Sequence, residues 1–344
     1  YKSLGRIHLV LDNLDNLRGK IEDEEYYRFK AELLCLRAYF YDWACKVYGD
    51  VPFIDHCLTL DDYAYARTPK AEVIDRIIKD MDNELIDHLP VSWGSQTWGT
   101  ARIGRVAAYA LKARICLEWG FFESAARCSK RALELADGVY DLTPLDCTYY
   151  ATHAEGEPDP TPLFGFAAET GSKEWIWAIQ FNRLAASNTH TGIYTGTSRV
   201  HNGAAGAGPS MAMMDTFQCT DGKPISESEL YDWQNPWKNR DPRLDLFCVR
   251  PGSRVLGMQF ETNPSAQTIK NYNDKEEGVD VANSEAYGSK SEYGANGSKG
   301  PCGYLWRKYL DIQEYKYNNA FGTSSVCVLS YPLMRLAELY LIRA

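Results

Sequence analysis

Arg105–Asp137 reads RVAAYALKARICLEWGFFESAARCSKRALELAD, and this stretch decides the fold. Taken with a helical period it is two helices joined by a tight turn. The first is expected from about Val106 to Glu118 and the second from about Phe121 to Ala136, with Trp119-Gly120 as the break. Ala113 on the first helix, and Ala125 and Ala132 on the second, sit where antiparallel helices must approach closely. Phe122 is expected to pack just after the turn.

That order of small residue, turn, aromatic and two small residues is the spacing of a tetratricopeptide (TPR) hairpin, a unit of about 34 residues. The match is imperfect: Ser129 stands at the second-helix aromatic position and Asp137 at the closing proline position. One such hairpin cannot bury its own apolar face, so it needs neighbours.

Upstream, Ile7, Leu11 and Leu14 mark a helix that Gly19 ends. A longer helix opens at Asp23-Glu24-Glu25, where acids complement the helix dipole, and runs to about Val47. Its residues Leu33, Leu36, Ala38, Phe40, Trp43 and Val47 predict burial on more than one side. Thr68-Pro69 reads as an N-cap followed by proline at the first helical position. That helix is expected to continue through Val73, Ile77, Met81 and Leu85 to Leu89-Pro90.

Beyond Gly138 the character changes to Gly, Pro, Asn, Ser and Thr with short apolar runs. Trp175–Ile179 and Leu246–Val249 are read as strands, and Pro209–Phe217 as a short helix before a Thr220-Asp221-Gly222 turn. Glu261–Gly303 is read as a long polar surface excursion. Apolar helix returns at Pro332–Ala344. The fold class is therefore mainly α: TPR-like hairpins packed with a loop-rich segment containing short strands. Residues 1–138 form the helical part, 139–330 the loop-rich part and 331–344 the start of a further TPR-like helix, all within one domain. The loop-rich part has too few apolar runs to be expected to fold alone.

The chain has 344 residues, is 45% hydrophobic and carries a net charge of −9. Phosphate binding needs clustered Lys and Arg, so this acidic balance argues against a nucleic-acid partner. No apolar run reaches membrane-spanning length. The 23 Tyr and 9 Trp stand out, many of them in Gly- and Asn-rich loops. Rings on loops suit recognition of sugars or peptides, and equally suit packing the loops down. Cys35, Cys45, Cys116 and Cys128 lie among apolar residues on helices and read as buried thiols. The chain starts abruptly at Tyr1 and stops at Ala344 inside an apolar-periodic run, as a fragment of a longer protein would.

Catalytic signatures are missing from the sequence. The 6 His show no HExxH or HxH spacing, and there is no GxSxG elbow, phosphate-binding loop or Cys/His zinc spacing. The acids of Asn271–Glu285 (Asp274, Glu276, Glu277, Asp280, Glu285) offer oxygen ligands for calcium, but without the EF-hand order they read as a solvated loop. No cofactor and no metal is expected.

A succession of segments carries a resemblance. Leu36-Arg37-Ala38-Tyr39-Phe40-Tyr41 is followed by Val47-Tyr48-Gly49-Asp50-Val51-Pro52. Arg67-Thr68-Pro69 leads into EVIDRIIKDMDNELIDHLP, and Gly104-Arg105 leads into AAYALKARICLEWG. Then come Ser172–Trp177, Asp221-Gly222, Asp241-Pro242-Arg243 and Arg335–Ala344. In this order they resemble the SusD/RagB family of outer-membrane lipoproteins of Bacteroidetes. No one motif is decisive, and the order over nearly the whole chain makes the likeness specific. The lipoprotein cysteine and the terminal helices of the family have no counterpart here.

The resemblance implies a surface-exposed, non-enzymatic protein of polysaccharide utilisation. It would capture oligosaccharides and pass them to a SusC-like TonB-dependent transporter, docked through the TPR-like layer, with membrane attachment only through a lipid anchor outside this sequence. RagB-like capture of peptides on the same scaffold is the alternative, and a glycoside hydrolase ranks third. Aromatic rings stack on sugar faces, so the expected ligand contacts are Trp233 and Trp237, then Trp93 and Trp98, with Tyr231, Tyr287 and Tyr293 behind them.

Overall fold

The computed structural model describes residues 2–60, 64–94, 99–144, 161–182, 201, 203, 208–263, 265–273, 275–284, 304–321 and 327–344. The chain divides into two compact units. One comprises Tyr1–Leu142, Lys173–Ile179 and Pro332–Ala344; the other comprises Thr143–Ser172 and Gln180–Tyr331.

The first unit holds the helices α1 (Lys2–Leu14), α2 (Asp23–Tyr48), α3 (Lys70–Asp80), α4 (Asn83–Ile86), α5 (Arg105–Glu118) and α6 (Phe122–Ala136). The α5–α6 hairpin is its centre. Gly120 turns the chain at φ +85°, a conformation that L side chains avoid. Phe121 N–H donates to the Cys116 carbonyl across this turn (2.7 Å). Ala113, Ala125 and Ala132 are at most 1% exposed, so the two backbones meet through methyl groups. Ser129 is also buried, and its hydroxyl donates to the Ala126 carbonyl one turn back (3.2 Å). Phe122 does not pack as expected and is 66% exposed. It stands at the N-terminal edge of α6, one turn ahead of the buried stripe Ala125, Cys128, Ser129 and Ala132.

Around this hairpin, α2 buries Leu34, Cys35, Ala38, Tyr41 and Cys45. Its last turns depart from expectation, because Trp43 and Val47 are exposed. The burial stripe drifts past them onto Asp42 and Cys45, and Asp42 accepts the Trp119 indole N–H (2.8 Å). A guanidinium–carboxylate pair, Arg37 to Asp80 (2.6 Å), joins α2 to α3. Thr68 does not cap α3; the Lys70 N–H donates to Asp50 Oδ1 (2.8 Å), just beyond the end of α2. Nor is the next segment one helix. It breaks at Met81, and Asp82 starts α4 by accepting the Glu84 and Leu85 N–H groups.

Two returns of the chain complete this core. The strand Trp175–Ile179 pairs with Tyr331–Arg335, and Leu336–Arg343 forms the final helix. The segment read as continuous helix from Pro332 is therefore strand first, because its backbone has a partner more than a hundred residues away in sequence. Trp177 meets Tyr39 edge-on at 5.1 Å, and Arg114 holds both the Glu338 carboxylate and the Leu333 carbonyl (2.6 Å). Cys35, Cys45, Cys116 and Cys128 are buried free thiols, as read from the sequence. Burial pushes the Cys35 thiol up to about 12, which keeps it protonated and inert.

The second unit is built on short strands. Arg254–Val255, Met258–Gln259, Thr268–Asn271 and Val279–Ala282 form an antiparallel meander in chain order. Half of it lies inside the stretch read as a featureless excursion. Its first turn, Leu256-Gly257, has both φ values positive (51° and 74°), the twist a two-residue hairpin requires. A Cβ on Gly257 would meet the Asn273 side chain at 2.2 Å. The expected strand at Leu246–Val249 is instead a helical turn, Arg243–Phe247, followed by a two-residue strand, Cys248–Val249, paired with Leu305–Trp306. Pro242 supplies the helical φ that starts this turn. Arg307 is 1% exposed and spends its guanidinium on the carbonyls of Asp245 and Arg254 (2.9 and 2.7 Å). His201 is buried against Val255 and Tyr315, its Nε2 2.8 Å from the Val255 carbonyl.

Two outcomes follow. Replacing Ala132 by Leu forces extra atoms between α5 and α6 and should cost about 1–3 kcal/mol in urea unfolding, whereas the same change at exposed Phe122 should be near neutral. Burial also depresses the His201 pKa from 6.5 to about 4. The unfolded chain then binds a proton that the folded chain refuses. Stability should be full above the ordinary histidine pKa and fall as pH drops toward the folded value, by on the order of 3 kcal/mol. His201→Gln should remove that share of the slope between pH 6.5 and 4 in paired unfolding curves.

Candidate functional site

The aromatic loop of the second unit is fastened at its base by the two segments Asp221-Gly222 and Asp241-Pro242-Arg243. Cys219 bridges Arg240, Thr220 N–H donates to the Asn239 carbonyl (2.8 Å), and Asp241 N–H donates to the Gln218 carbonyl (2.9 Å). On one side the Asp221 carboxylate accepts the Lys223 N–H (3.1 Å) and the Ser228 hydroxyl (2.9 Å). On the other, Asp241 is clamped by the Arg243 guanidinium and N–H.

Arg240 closes the clasp from inside. Only 8% exposed, it donates from Nη1 to the Pro236 carbonyl (2.8 Å) and from Nη2 to the carbonyls of Met214 (2.7 Å) and Phe217 (3.0 Å). Its guanidinium carbon lies 5.7 Å from the centre of the Tyr231 ring. Sequence reasoning missed this residue. The available signal was an arginine set between an aromatic loop and Asp-Pro, where a buried charge needs several carbonyls.

Within the clasp, Asp232 nucleates the turn that carries both tryptophans. It accepts the Gln234 N–H (3.0 Å) and the Asn235 side-chain amide (2.8 Å). These bonds, the Asn235 side chain first, hold its carboxyl below the ordinary 3.8. At Asp241, burial opposes ionisation, but hydrogen bonds from Arg243 outweigh it and the pKa is also lowered. Asn239 takes a left-handed φ of 57° and donates to the Leu230 carbonyl (2.9 Å), closing the loop.

This scaffold gives its rings different settings. Trp233 is 77% exposed at the tip. Trp237 is half-buried over Met214, Leu244 and Cys248, tilted against Tyr304 at 5.5 Å with Arg250 5.8 Å from its ring centre. Tyr231 is half-buried beside Arg240. Thus Trp233, Trp237 and Tyr231 share one fastened loop.

Trp93 belongs to the other unit. Its indole N–H donates to the Ile103 carbonyl (3.2 Å), and the Arg102 guanidinium, paired with Glu32, covers one face at 3.4 Å. Trp98, Tyr287 and Tyr293 lie outside the described residues, as do Asp274 and Glu285 of the acidic loop. Asp280 of that loop pairs with Lys270 across the meander (3.0 Å), and Glu276 and Glu277 are exposed. Among the described residues no three His, Cys, Asp or Glu side chains converge as a metal site would require.

A search of curated protein sequences returned no match. Residues 1–117 match a SusD-like family described as starch-binding and associating with the outer membrane, and residues 173–344 match the SusD family. A SusD-like carbohydrate-binding protein of Bacteroides fragilis superposes with a TM-score of 0.69 at 19% identity, over 94% of this chain and 55% of its own. A second SusD-like protein of that organism gives 0.68 at 23%, over 98% and 61%. Surface glycan-binding protein A of Bacteroides uniformis gives 0.59 at 15%, over 99% and 58%. This chain therefore spans little more than half the length of those proteins while sharing their fold. With one family matched from Lys173 to the last helix and that fold over nearly all its residues, the chain belongs to the SusD family.

Proposed function

We propose that this is a non-enzymatic, surface-exposed binding protein that captures oligosaccharides and passes them to a SusC-like TonB-dependent transporter in the outer membrane. The observation that carries the reading is Trp233: a large ring 77% exposed on a loop fastened by Arg240, Asp232 and Asp241. Leaving an indole in water is unfavourable, and a fixed ring loses little entropy when a sugar face covers it. The hydrogen-bonding groups around it (Gln234, Asn235, Lys238) are exposed and suit hydroxyls. Trp237 and Tyr231, half-buried, belong to the same loop. The family description, starch-binding and associating with the outer membrane, and the relatives described as carbohydrate- and glycan-binding point the same way. The TPR-like helices would supply the transporter contact, and a lipid anchor elsewhere in the full protein would hold it to the membrane.

The two tryptophans should separate in experiment. Trp233→Ala should weaken oligosaccharide binding by about tenfold or more in calorimetry with an unchanged Tm, because its ring touches solvent. Trp237→Ala should weaken binding and also lower the Tm by a few degrees, because its ring fills a core cluster. If a panel of α- and β-glucan oligosaccharides fails to bind while peptides do, the scaffold serves RagB-like peptide capture instead. Product release from any glycan, lost on replacing one acid, would contradict the non-enzymatic reading.

A further inference from the structure

The charges around the aromatic loop are unevenly spent. The second unit holds 21 Asp and Glu against 15 Lys and Arg. The arginines nearest the loop are committed to the protein itself. Arg240 is buried on the carbonyls of Pro236, Met214 and Phe217, Arg243 holds Asp241, and Arg250 lies 3.4 Å from Asp245. Each of these three charges is met by protein oxygens.

Carboxylates dominate what is left in residues 215–239. Asp215, Asp221, Glu227 and Glu229 are exposed there, and Asp232 is half-buried next to Trp233. The cations of the same stretch are Lys223 and Lys238, both exposed. The charge of Lys223 acts on Asp221 and that of Lys238 on Asp232. Asp215, Glu227 and Glu229 therefore stand in excess and make the sign of the loop negative.

The backbone keeps Glu227 and Glu229 near the rings. Between them, the Ser228 hydroxyl donates to Asp221 (2.9 Å) and accepts the Leu230 N–H (3.2 Å), and the Ser228 carbonyl accepts the Tyr231 N–H (3.3 Å). Glu229 is four residues from Trp233, a chain distance of at most about 14 Å. Charges are screened over about 30 Å at 0.01 M salt and about 3 Å at 1 M. Whichever way the two glutamates turn, their charge reaches Trp233 at low salt and is lost there at high salt.

Stacking on an indole uses the C–H face of a sugar ring, which a neutral sugar and its uronate share. The ring alone cannot tell them apart, but the field can, because like charges brought together suppress the wrong partner. We propose that the aromatic loop selects uncharged saccharides, with Glu227, Glu229 and Asp232 excluding uronates and sulfated sugars. This selection rests on the oligosaccharide capture proposed above. Asp232 also holds the turn, so Glu227 and Glu229, with exposed side chains, are the residues through which the selection is tested.

The test compares malto- and cello-oligosaccharides with the same molecules after oxidation of their 6-hydroxymethyl groups to carboxylates. Calorimetry on the intact protein in about 0.01 M salt should give about tenfold or more weaker binding of the oxidised form of whichever glucan binds. In about 1 M salt the oxidised form should strengthen to within about twofold of the neutral one, whose own affinity stays the same. Glu227→Lys combined with Glu229→Lys should close the gap in the same way at low salt, while Trp233→Ala should weaken neutral and oxidised forms alike. Rejection of the carboxylate by shape alone would respond neither to salt nor to the charge reversal. An oxidised sugar bound as tightly as the neutral one at low salt, or a gap that salt and the double variant leave in place, overturns the selection and leaves capture at the loop intact. If no sugar of the set binds in either form, capture itself falls, and the selection with it.

Discussion

The helical unit depends on how closely α5 and α6 approach. Ala113, Ala125 and Ala132 let the backbones meet, and most of that unit packs around the pair, while α1 packs on α2. Helix α5 is buried nearly all round, including Val106, Ala107, Tyr109, Leu111 and Ile115, so α2, α3, the Trp175–Ile179 strand and the final helix can surround it. Arg114 fixes the last of these. Its partners at Glu338 and Leu333 lie more than two hundred residues away in sequence, and burial of its charge is tolerated because those oxygens meet it. A helix hydrophobic on every side has no solvent face, which is why a single hairpin could not exist alone.

What was legible in the sequence follows from the range of the forces involved. The α5–α6 hairpin, α2 and the strand at Trp175 were readable because their signals are local: a helical period, acids at an N-terminus, a short continuous run of apolar residues. The break at Met81 was hidden because Asp82 sits in an unbroken apolar period, and its capping role is visible only once its carboxylate meets Glu84 and Leu85 N–H groups. Tyr331–Arg335 has helical-looking neighbours and becomes strand through pairing with Trp175–Ile179. The meander escaped for the opposite reason. Its strands are two to four residues long, polar on one side, and defined by turns such as Leu256-Gly257 rather than by periodicity.

The candidate loop was legible as chemistry but not as geometry. A cluster of Tyr231, Trp233 and Trp237 announces rings, but nothing in their spacing says that Trp233 faces water while Trp237 packs against Met214, Leu244 and Cys248. That distinction comes from Asp232 and Arg240, two charged residues whose work is to hold backbone. The loop therefore divides between rings exposed to solvent and charged residues that fix their positions.

Capture by a preformed platform has a distinct physical signature. A loop already fixed by carboxylate caps and a buried guanidinium pays little ordering entropy on binding, so a ligand should quiet its remaining motions without reshaping it. Hydrogen–deuterium exchange of the intact protein, with and without a saturating oligosaccharide that it binds, measures this directly. Glycan capture at the clasp predicts slower exchange of backbone amides in residues 219–241, greatest around Trp233. Unchanged exchange throughout that segment under saturation would contradict it.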